Sequence, residues 1–365
     1  MYLDLKKAFD KVPHERLLWK LENIGGLHGK IKEWMESYLK GREMRTLVRD
    51  EKSKWRKVDS GVPQGSVLAP ILFLIYINDM PEGVDSYMSL FADDAKLLKR
   101  VKTNKDCEIL QNDLNKIYKW SKKWEMEFNV KKCHVMEMGK SKKRPNWKYK
   151  MGNENIVKVH EEKDLGVTIQ DNLQPEKHIE RIFRDTYRML RNIGVAFHYM
   201  DKDMMRKIIA TMIRPKMEYA ETVWSPYKKK HVKKLERIQR MATKMVPELE
   251  ELTYEERLRE INLPTLEERR ERGDLITIFK LYNKMEEADN EELLITERRE
   301  IGFTRGHTKK LRKGRCLNNV KKNSFPHRNI EVWNKLSEEV ISVKTVHQLK
   351  EKLDKCRYGD GTTRV

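Results

Sequence analysis

The 365-residue sequence predicts an α+β protein in two parts, the first of mixed strands and helices and the second almost wholly helical. Three observations predict it. Short β-type apolar segments alternate with helix-periodic ones through the first part. The stretch LFADDAKLL, residues 90–98, reads as strand, tight turn and strand. From residue 175 onward the spacing is that of amphipathic helices, so the boundary falls near residues 170–175, giving domains 1–172 and 173–365.

In chain order, MYLDL reads as a strand ending at Asp4. Pro13–Ile24 predicts a helix, with Pro at its start, Gly25-Gly26 at its stop and Leu17, Leu18 and Leu21 on one face. A second helix, Lys30–Leu39, carries Ile31, Trp34, Met35 and Tyr38 at the same spacing and so predicts a core-facing side. Residues 44–59 read as a hairpin with a charged turn. SGVPQGSVLAPILFLIYINDMP (60–81) is a Gly/Pro-rich loop running into a buried apolar helix. Beyond LFADDAKLL, Cys107–Lys123 predicts a helix with Leu110, Leu114, Ile117 and Tyr118 on one face. FNVKKCHVMEMG (128–139) predicts a strand, 141–155 a polar basic loop and Val157–Ile169 further strands. Thr265-Leu266-Glu267-Glu268 is a capping box, starting a helix striped by Leu275, Ile278, Phe279, Tyr282 and Met285.

With 77 basic against 57 acidic residues and a net charge of +20, the chain predicts a polyanionic partner, nucleic acid before an anionic membrane. Basic runs at Lys140–Lys150, Lys228–Lys234 and Arg305–Arg315 carry much of the excess. A hydrophobic content of 38% with 8 Trp argues for a packed core over disorder. The four cysteines form no CxxC pair, so reduced intracellular thiols are expected, and His307, His327 and Cys316 lack metal-ligand spacing. No signal peptide is legible. The longest apolar run, Val67–Ile77, falls well short of the roughly 20 residues that span a bilayer, so a soluble protein without membrane partners is expected.

Asp4, Asp93 and Asp94 are the chemistry-bearing candidates. Two carboxylates about 4 Å apart repel by roughly 4 kcal/mol at an effective dielectric of about 20, and a divalent cation would relieve that. If the two elements are sheet neighbours, the acids converge on one patch able to hold two metal ions. The alternative is a surface acid and an ordinary polar turn, since Asp favours turns.

The ordered motifs LDLKKAFD (3–10), SGVPQGSVLAPILF (60–73), FADD (91–94), WEMEFNVKKC (124–133) and DLGV (164–167) resemble those of reverse transcriptases, specifically the non-LTR, jockey-like retrotransposon polymerases. The later segments IRPKMEYAETVWSPY (213–227), LERIQRMATKMV (235–246) and VWNKLSEEVI (332–341) resemble the tail of such reading frames. The resemblance implies a polymerase palm, an antiparallel sheet with flanking helices, followed by a mainly helical thumb and C-terminal region, with fingers largely absent. It makes Asp4, Asp93 and Asp94 the acids for two Mg²⁺ or Mn²⁺ ions. Phe9 would lie beneath the incoming sugar, and Pro63, Gln64 and Gly65 against template and nucleotide. Lys132 would stand near the nucleotide phosphates to stabilise or protonate the leaving pyrophosphate, with Lys131 an equally lysine-like neighbour. Leu165 and Gly166 resemble the primer grip. RNA template, DNA primer and dNTPs are the implied partners, no protein partner is indicated, and the implied location is the nucleus. Because the chain begins three residues before Asp4, a frayed first strand is expected. Two functions follow: an RNA-directed DNA polymerase fragment, or a catalytically inactive retroelement relic that at most binds nucleic acid. Another two-metal palm enzyme, a cyclase or nuclease, is disfavoured by the PQG loop and the thumb-like tail.

Overall fold

Strand pairing in the computed structural model places the first residues of the chain in the middle of a five-stranded sheet. The structure describes residues 1–139, 144–286, 307, 309–316 and 318–358. Parts of two predicted basic runs, Lys140 to Lys143 and Arg305, Gly306 and Thr308, lie outside the described residues. The described chain is mixed α and β, and its contacts divide it into two compact units, Met1–Glu162 and Lys163–Val365. That division falls ahead of residue 172 because Val167, on the last strand before the helices, packs into the second unit's core with Ile179 and Ile182.

The sheet of the first unit is built from β1 (Tyr2–Asp4), β2 (Tyr87–Phe91), β3 (Asp94–Leu98), β4 (His134–Val135) and β5 (Val157–Lys158), in the order β5-β4-β1-β3-β2. All neighbours are antiparallel except β4 and β5. Alternation turns Leu3, Ala95 and Leu97 into the core, leaving Asp4, Asp94 and Lys96 on the other face. Four helices contribute to the core on the buried side: α1 (His14–Asn23), α2 (Lys30–Leu39), α3 (Leu68–Ile77) and α4 (Asn104–Trp124). Helix α4 starts on a reciprocal capping box, Thr103 with Asp106, and buries Leu110, Leu114 and Ile117 as its periodicity predicts.

Several expectations are corrected. The first strand is not frayed: it is hydrogen-bonded on both sides, and the Met1 amino group is buried, donating to Leu97 O at 2.6 Å. Helix α2 turns only part of its apolar stripe inward: Met35 and Tyr38 pack against the core beside buried Leu39, whereas Ile31 and Trp34 are more than half exposed. Helix α3 buries Leu72, Phe73, Tyr76 and Ile77 but leaves Ile71 and Leu74 half exposed. The polar stretch expected as loop at 141–155 contains a hairpin, Lys150–Met151 with Glu154–Asn155, anchored by buried Tyr149 and Met151. The segment 128–139 is a strand only at His134–Val135, preceded by a 3₁₀ turn, Val130–Lys132.

One buried charge ties α1 to α3. Lys20 is fully buried, its Nζ bonding Tyr76 O and Asp79 Oδ1, each at 2.5 Å, and lying 3.8 Å from the centre of the Trp124 ring. Trp120 donates to the same carboxylate at 2.9 Å. A lone buried ammonium is costly, and here an anion and an aromatic wall offset that cost.

Among its described residues the second unit is mainly helical after its entry strands. Its longest helices are Glu176–Ala196, Lys229–Lys244, Leu266–Tyr282 and Val346–Tyr358. The Thr265–Glu268 capping box forms as predicted. Leu275, Ile278 and Phe279 enter a core with Trp333 and Leu349, whereas Met285 lies past the helix end and is half exposed. No helix among the described residues is long and apolar enough to cross a membrane.

Candidate active site

Register brings the predicted acids together. Asp4 is paired directly with Asp94 across β1 and β3, and the same hairpin pairs Phe91 with Asp94, leaving Ala92 and Asp93 as a two-residue turn. Such turns need positive φ, and Ala92 supplies it at +50°. An L-residue there costs about 1 kcal/mol, held down by five register pairs between β2 and β3.

Directly opposed residues share a sheet face with Cβ atoms roughly 5 Å apart, and like charges so placed destabilise the sheet. The site therefore carries built-in repulsion, with Asp93 one residue away. Positive charge answers it in part. Lys132 Nζ lies 3.7 Å from Asp4 Oδ2, the lysine well exposed and the aspartate mostly covered. Lys96 is two residues from Asp94 on the same face. It is Lys132, not Lys131, that reaches Asp4.

The backbone of Asp4 is held from below. Its N–H donates to Cys133 Sγ at 3.5 Å and its carbonyl accepts from Asn129 N–H at 2.8 Å. Burial, and then the nearby Asp4 charge, push the Cys133 thiol up to about 11, so it stays protonated. The 3₁₀ turn between these two contacts presents Lys132 to the acid. Sequence reasoning passed over Cys133 and Asn129. Their position inside the NVKKC motif was the available signal.

The PQG loop docks on the segment that follows β1. Gly61 N donates to Val12 O and Val62 N to Phe9 O, both at 2.8 Å. Ser60 Oγ donates to Asp10 O at 2.9 Å, and His14 Nε2 lies 2.8 Å from Gly61 O. Gln64 Nε2 donates to Asp10 Oδ1 at 2.7 Å, leaving its carbonyl oxygen available as an acceptor. Gly65 has φ +83° with open space where a Cβ would point. Gly61 is the crowded glycine of this loop, since a Cβ there would lie 2.8 Å from Asp10 O. Pro63 is half-buried and Gln64 and Gly65 are exposed. Phe9 stacks on Phe73, ring centres 4.4 Å apart, and stays partly exposed.

Leu165 and Gly166 lie in the second unit, as the turn between strands Glu161–Asp164 and Val167–Gln170. Both have positive φ. Leu165 O accepts from Tyr219 Oη at 3.0 Å, and Gly166 O accepts from Arg181. This turn is held by residues of the helical unit itself.

Among the described residues no three His, Cys, Asp or Glu side chains stand in a ready-made metal cage. The donor set still fits a hard divalent ion. It offers only carboxylate oxygens, and Mg²⁺ binds through one or two carboxylates while keeping water or phosphate oxygens for the rest.

Comparison with known proteins bears on the family of the chain. Residues 1–169 match the family model described as reverse transcriptase (RNA-dependent DNA polymerase). The chain is 28% identical over 252 residues to the RNA-directed DNA polymerase from mobile element jockey of Drosophila funebris, covering 65% of this chain and 27% of that protein. It is 26% identical over 260 residues to the probable RNA-directed DNA polymerase from transposon X-element of Drosophila melanogaster, covering 67% and 28%. A third relative, the probable RNA-directed DNA polymerase from transposon BS of Drosophila melanogaster, is 24% identical over 287 residues, covering 73% and 31%. The aligned part is under a third of the length of each of these relatives.

Proposed function

We propose that this chain, whose residues 1–169 match the reverse transcriptase family model, carries the palm and thumb of an RNA-directed DNA polymerase of non-LTR retrotransposon type. Residues 1–172 are assigned to the palm and 173–365 to the thumb and C-terminal region. The reaction joins a dNTP to a primer 3′-hydroxyl on an RNA template. The hydroxyl oxygen attacks the α-phosphorus, the bond to the pyrophosphate oxygen breaks, and the hydroxyl proton is lost. The carrying observation is the register that sets Asp4 opposite Asp94, with Asp93 beside it and Lys132 at 3.7 Å.

In this reading Asp4, Asp93 and Asp94 hold two Mg²⁺ or Mn²⁺ ions, whose chemistry when bound is to acidify the attacking hydroxyl and neutralise charge on the leaving oxygen. Lys132, exposed at the rim of the acids, places a proton donor where a pyrophosphate departs. Phe9 underlies the sugar, and its stacking on Phe73 supports a rigid wall that a 2′-hydroxyl would strike. Pro63, Gln64 and Gly65 lie along template and nucleotide, and the bond to Asp10 fixes which polar atom Gln64 presents. Leu165 and Gly166 contact the primer strand. The test is primer extension on an RNA template with Mg²⁺ and dNTPs, comparing the chain with Asp93→Ala and Asp94→Ala. Extension lost in both variants supports the assignment. Extension unchanged in either one refutes it.

A further inference from the structure

We propose that Cys133 is a positioning residue of the proposed two-metal site, its thiol holding Asp4 in place and keeping Lys132 aimed at the same carboxylate. This rests on the polymerase reading above and adds a residue that the reading leaves out.

The pairing of β1 leaves Asp4 in need of partners. Met1 and Leu97 exchange both backbone hydrogen bonds, at 2.6 and 3.0 Å. In an antiparallel ladder bonded and non-bonded pairs alternate. Asp4 and Asp94, three residues on, are therefore a non-bonded pair, the kind whose side chains stand closer. The N–H and C=O of Asp4 then point away from β3 and toward β4. On that side the ladder is interrupted. The segment carrying β4 meets β1 at Leu5–Phe128 and again at Tyr2–His134, so that two residues, Leu3 and Asp4, face five, Asn129 to Cys133. Such a bulge breaks the ladder locally and re-aims side chains.

Both ends of the bulge turn back to Asp4. Asn129 N–H donates to Asp4 O at 2.8 Å, and Asp4 N–H donates to Cys133 Sγ at 3.5 Å. The thiol is fully buried, so it stands in for the backbone acceptor that a continuous strand would have offered. The turn between these contacts is closed on itself, with Lys132 N–H and Cys133 N–H donating to Asn129 O at 2.8 and 3.2 Å. It carries Lys132 Nζ to 3.7 Å from Asp4 Oδ2. One five-residue unit thus grips the acid by its backbone and by its side chain. A shift of the thiol moves Asp4 and Lys132 together. An uncharged thiol also takes the N–H without adding a further negative charge beneath the opposed carboxylates.

The test uses the full chain with Mn²⁺ as the probe. Cys133→Ala removes the acceptor, Cys133→Val fills the space but accepts nothing, and Cys133→Ser keeps an acceptor. Cys107→Ala, at a second buried thiol of the same core, on α4 and outside the bulge, is the control for lost packing. In the Ala and Val variants amide exchange at Asp4 should speed up about 10-fold, as for one lost hydrogen bond. Mn²⁺ affinity, read by electron paramagnetic resonance, and kcat of primer extension should each fall on the order of 10-fold, with KM for dNTP little changed. Cys133→Ser should recover most of these losses. Cys107→Ala should lower the urea midpoint and leave Asp4 exchange and Mn²⁺ affinity as in wild type. Unchanged exchange and Mn²⁺ affinity in both the Ala and Val variants would overturn the proposal. Equal losses in Cys107→Ala, or a Ser variant no better than Ala, would overturn it as well. Exchange at Asp4 needs neither metal nor turnover, so a wild type that extends no primer would count against the polymerase reading, and the thiol's hold on Asp4 would still be decided by its own readout.

Discussion

Substituting Gly61 by Ala should damage the candidate active site without touching any residue assigned to chemistry. A Cβ at Gly61 would lie 2.8 Å from Asp10 O and 2.9 Å from Asp10 C and Cα. Backbone cannot swing aside as a side-chain tip can, so the loop must back away by about half an ångström to restore ordinary contact. That displacement acts on the Gly61–Val12 and Val62–Phe9 hydrogen bonds, both 2.8 Å, each worth about 1 kcal/mol. The residue's φ of +92° adds about 1–2 kcal/mol for any L-side chain, for a total near 3–4 kcal/mol. Gly65→Ala is the internal reference, because it shares the positive φ but meets nothing within 4 Å and should cost only the conformational part. The difference, about 2 kcal/mol, corresponds to roughly 1 M in urea midpoint. Urea unfolding of the two variants, with amide exchange at Gly61 and Val62, measures it. Equal midpoints, or unchanged exchange at those two amides, would refute the reasoning.

Further predictions concern charge. Asp94→Asn removes one of two opposed carboxylates, so in metal-free buffer its unfolding midpoint should rise slightly while primer extension disappears; a lowered midpoint contradicts the repulsion argument. Lys20→Ala removes the cation paired with Asp79, leaving it only the Trp120 donor, and empties a fully buried site, and should lower stability by about 3–5 kcal/mol in a thermal melt, with Lys20→Met costing less. Burial, and then Arg181, push His178 down to about 4, so between pH 6.5 and 4 the unfolded chain takes up a proton that the folded chain refuses. Stability from this group is complete above pH 6.5 and falls as pH drops to 4, by about 3 kcal/mol; a flat urea midpoint over that window would refute it. Glu221 is the opposite case. Burial, and then Glu218, push it up to about 8, so stability is fully present below pH 4.5 and declines as pH rises to 8, and Glu221→Gln should abolish that slope in denaturation at stepped pH.

Legibility in the sequence tracked how local the deciding force is. The hairpin at residues 87–98, the helix at 104–124 and the capping box at Thr265 are set by neighbours a few residues away, and all three formed as read. Helix Lys30–Leu39 has the same periodicity as its buried counterparts, yet Ile31 and Trp34 face outward, because a period says which residues share a face and not what covers it. The lysine register was open between Lys131 and Lys132 until the 3₁₀ turn at Val130–Lys132 gave each a direction. Gly61 and Gly65 look alike in SGVPQG. Only the docking of that loop on Asp10 tells the crowded glycine from the open one. The burial of Lys20 was invisible for the same reason, since its partners Tyr76, Asp79 and Trp124 come from two other helices and a turn.

The central position of the first strand has a consequence for how this unit folds. Met1 bonds Leu97, 96 residues on, and Asp4 bonds Cys133, 129 residues on, so this end of the chain closes two long loops. Contacts that distant are entropically expensive to make early and slow the search for the native state. The hairpin holding Asp93 and Asp94 can close by itself, but Asp4 can pair with it only when the chain through residue 98 has been made and gathered. During synthesis the two halves of the acid patch are therefore apart for most of the unit's length. The sheet edge of β3 that Asp4 will occupy must in that interval stay clear of other strands.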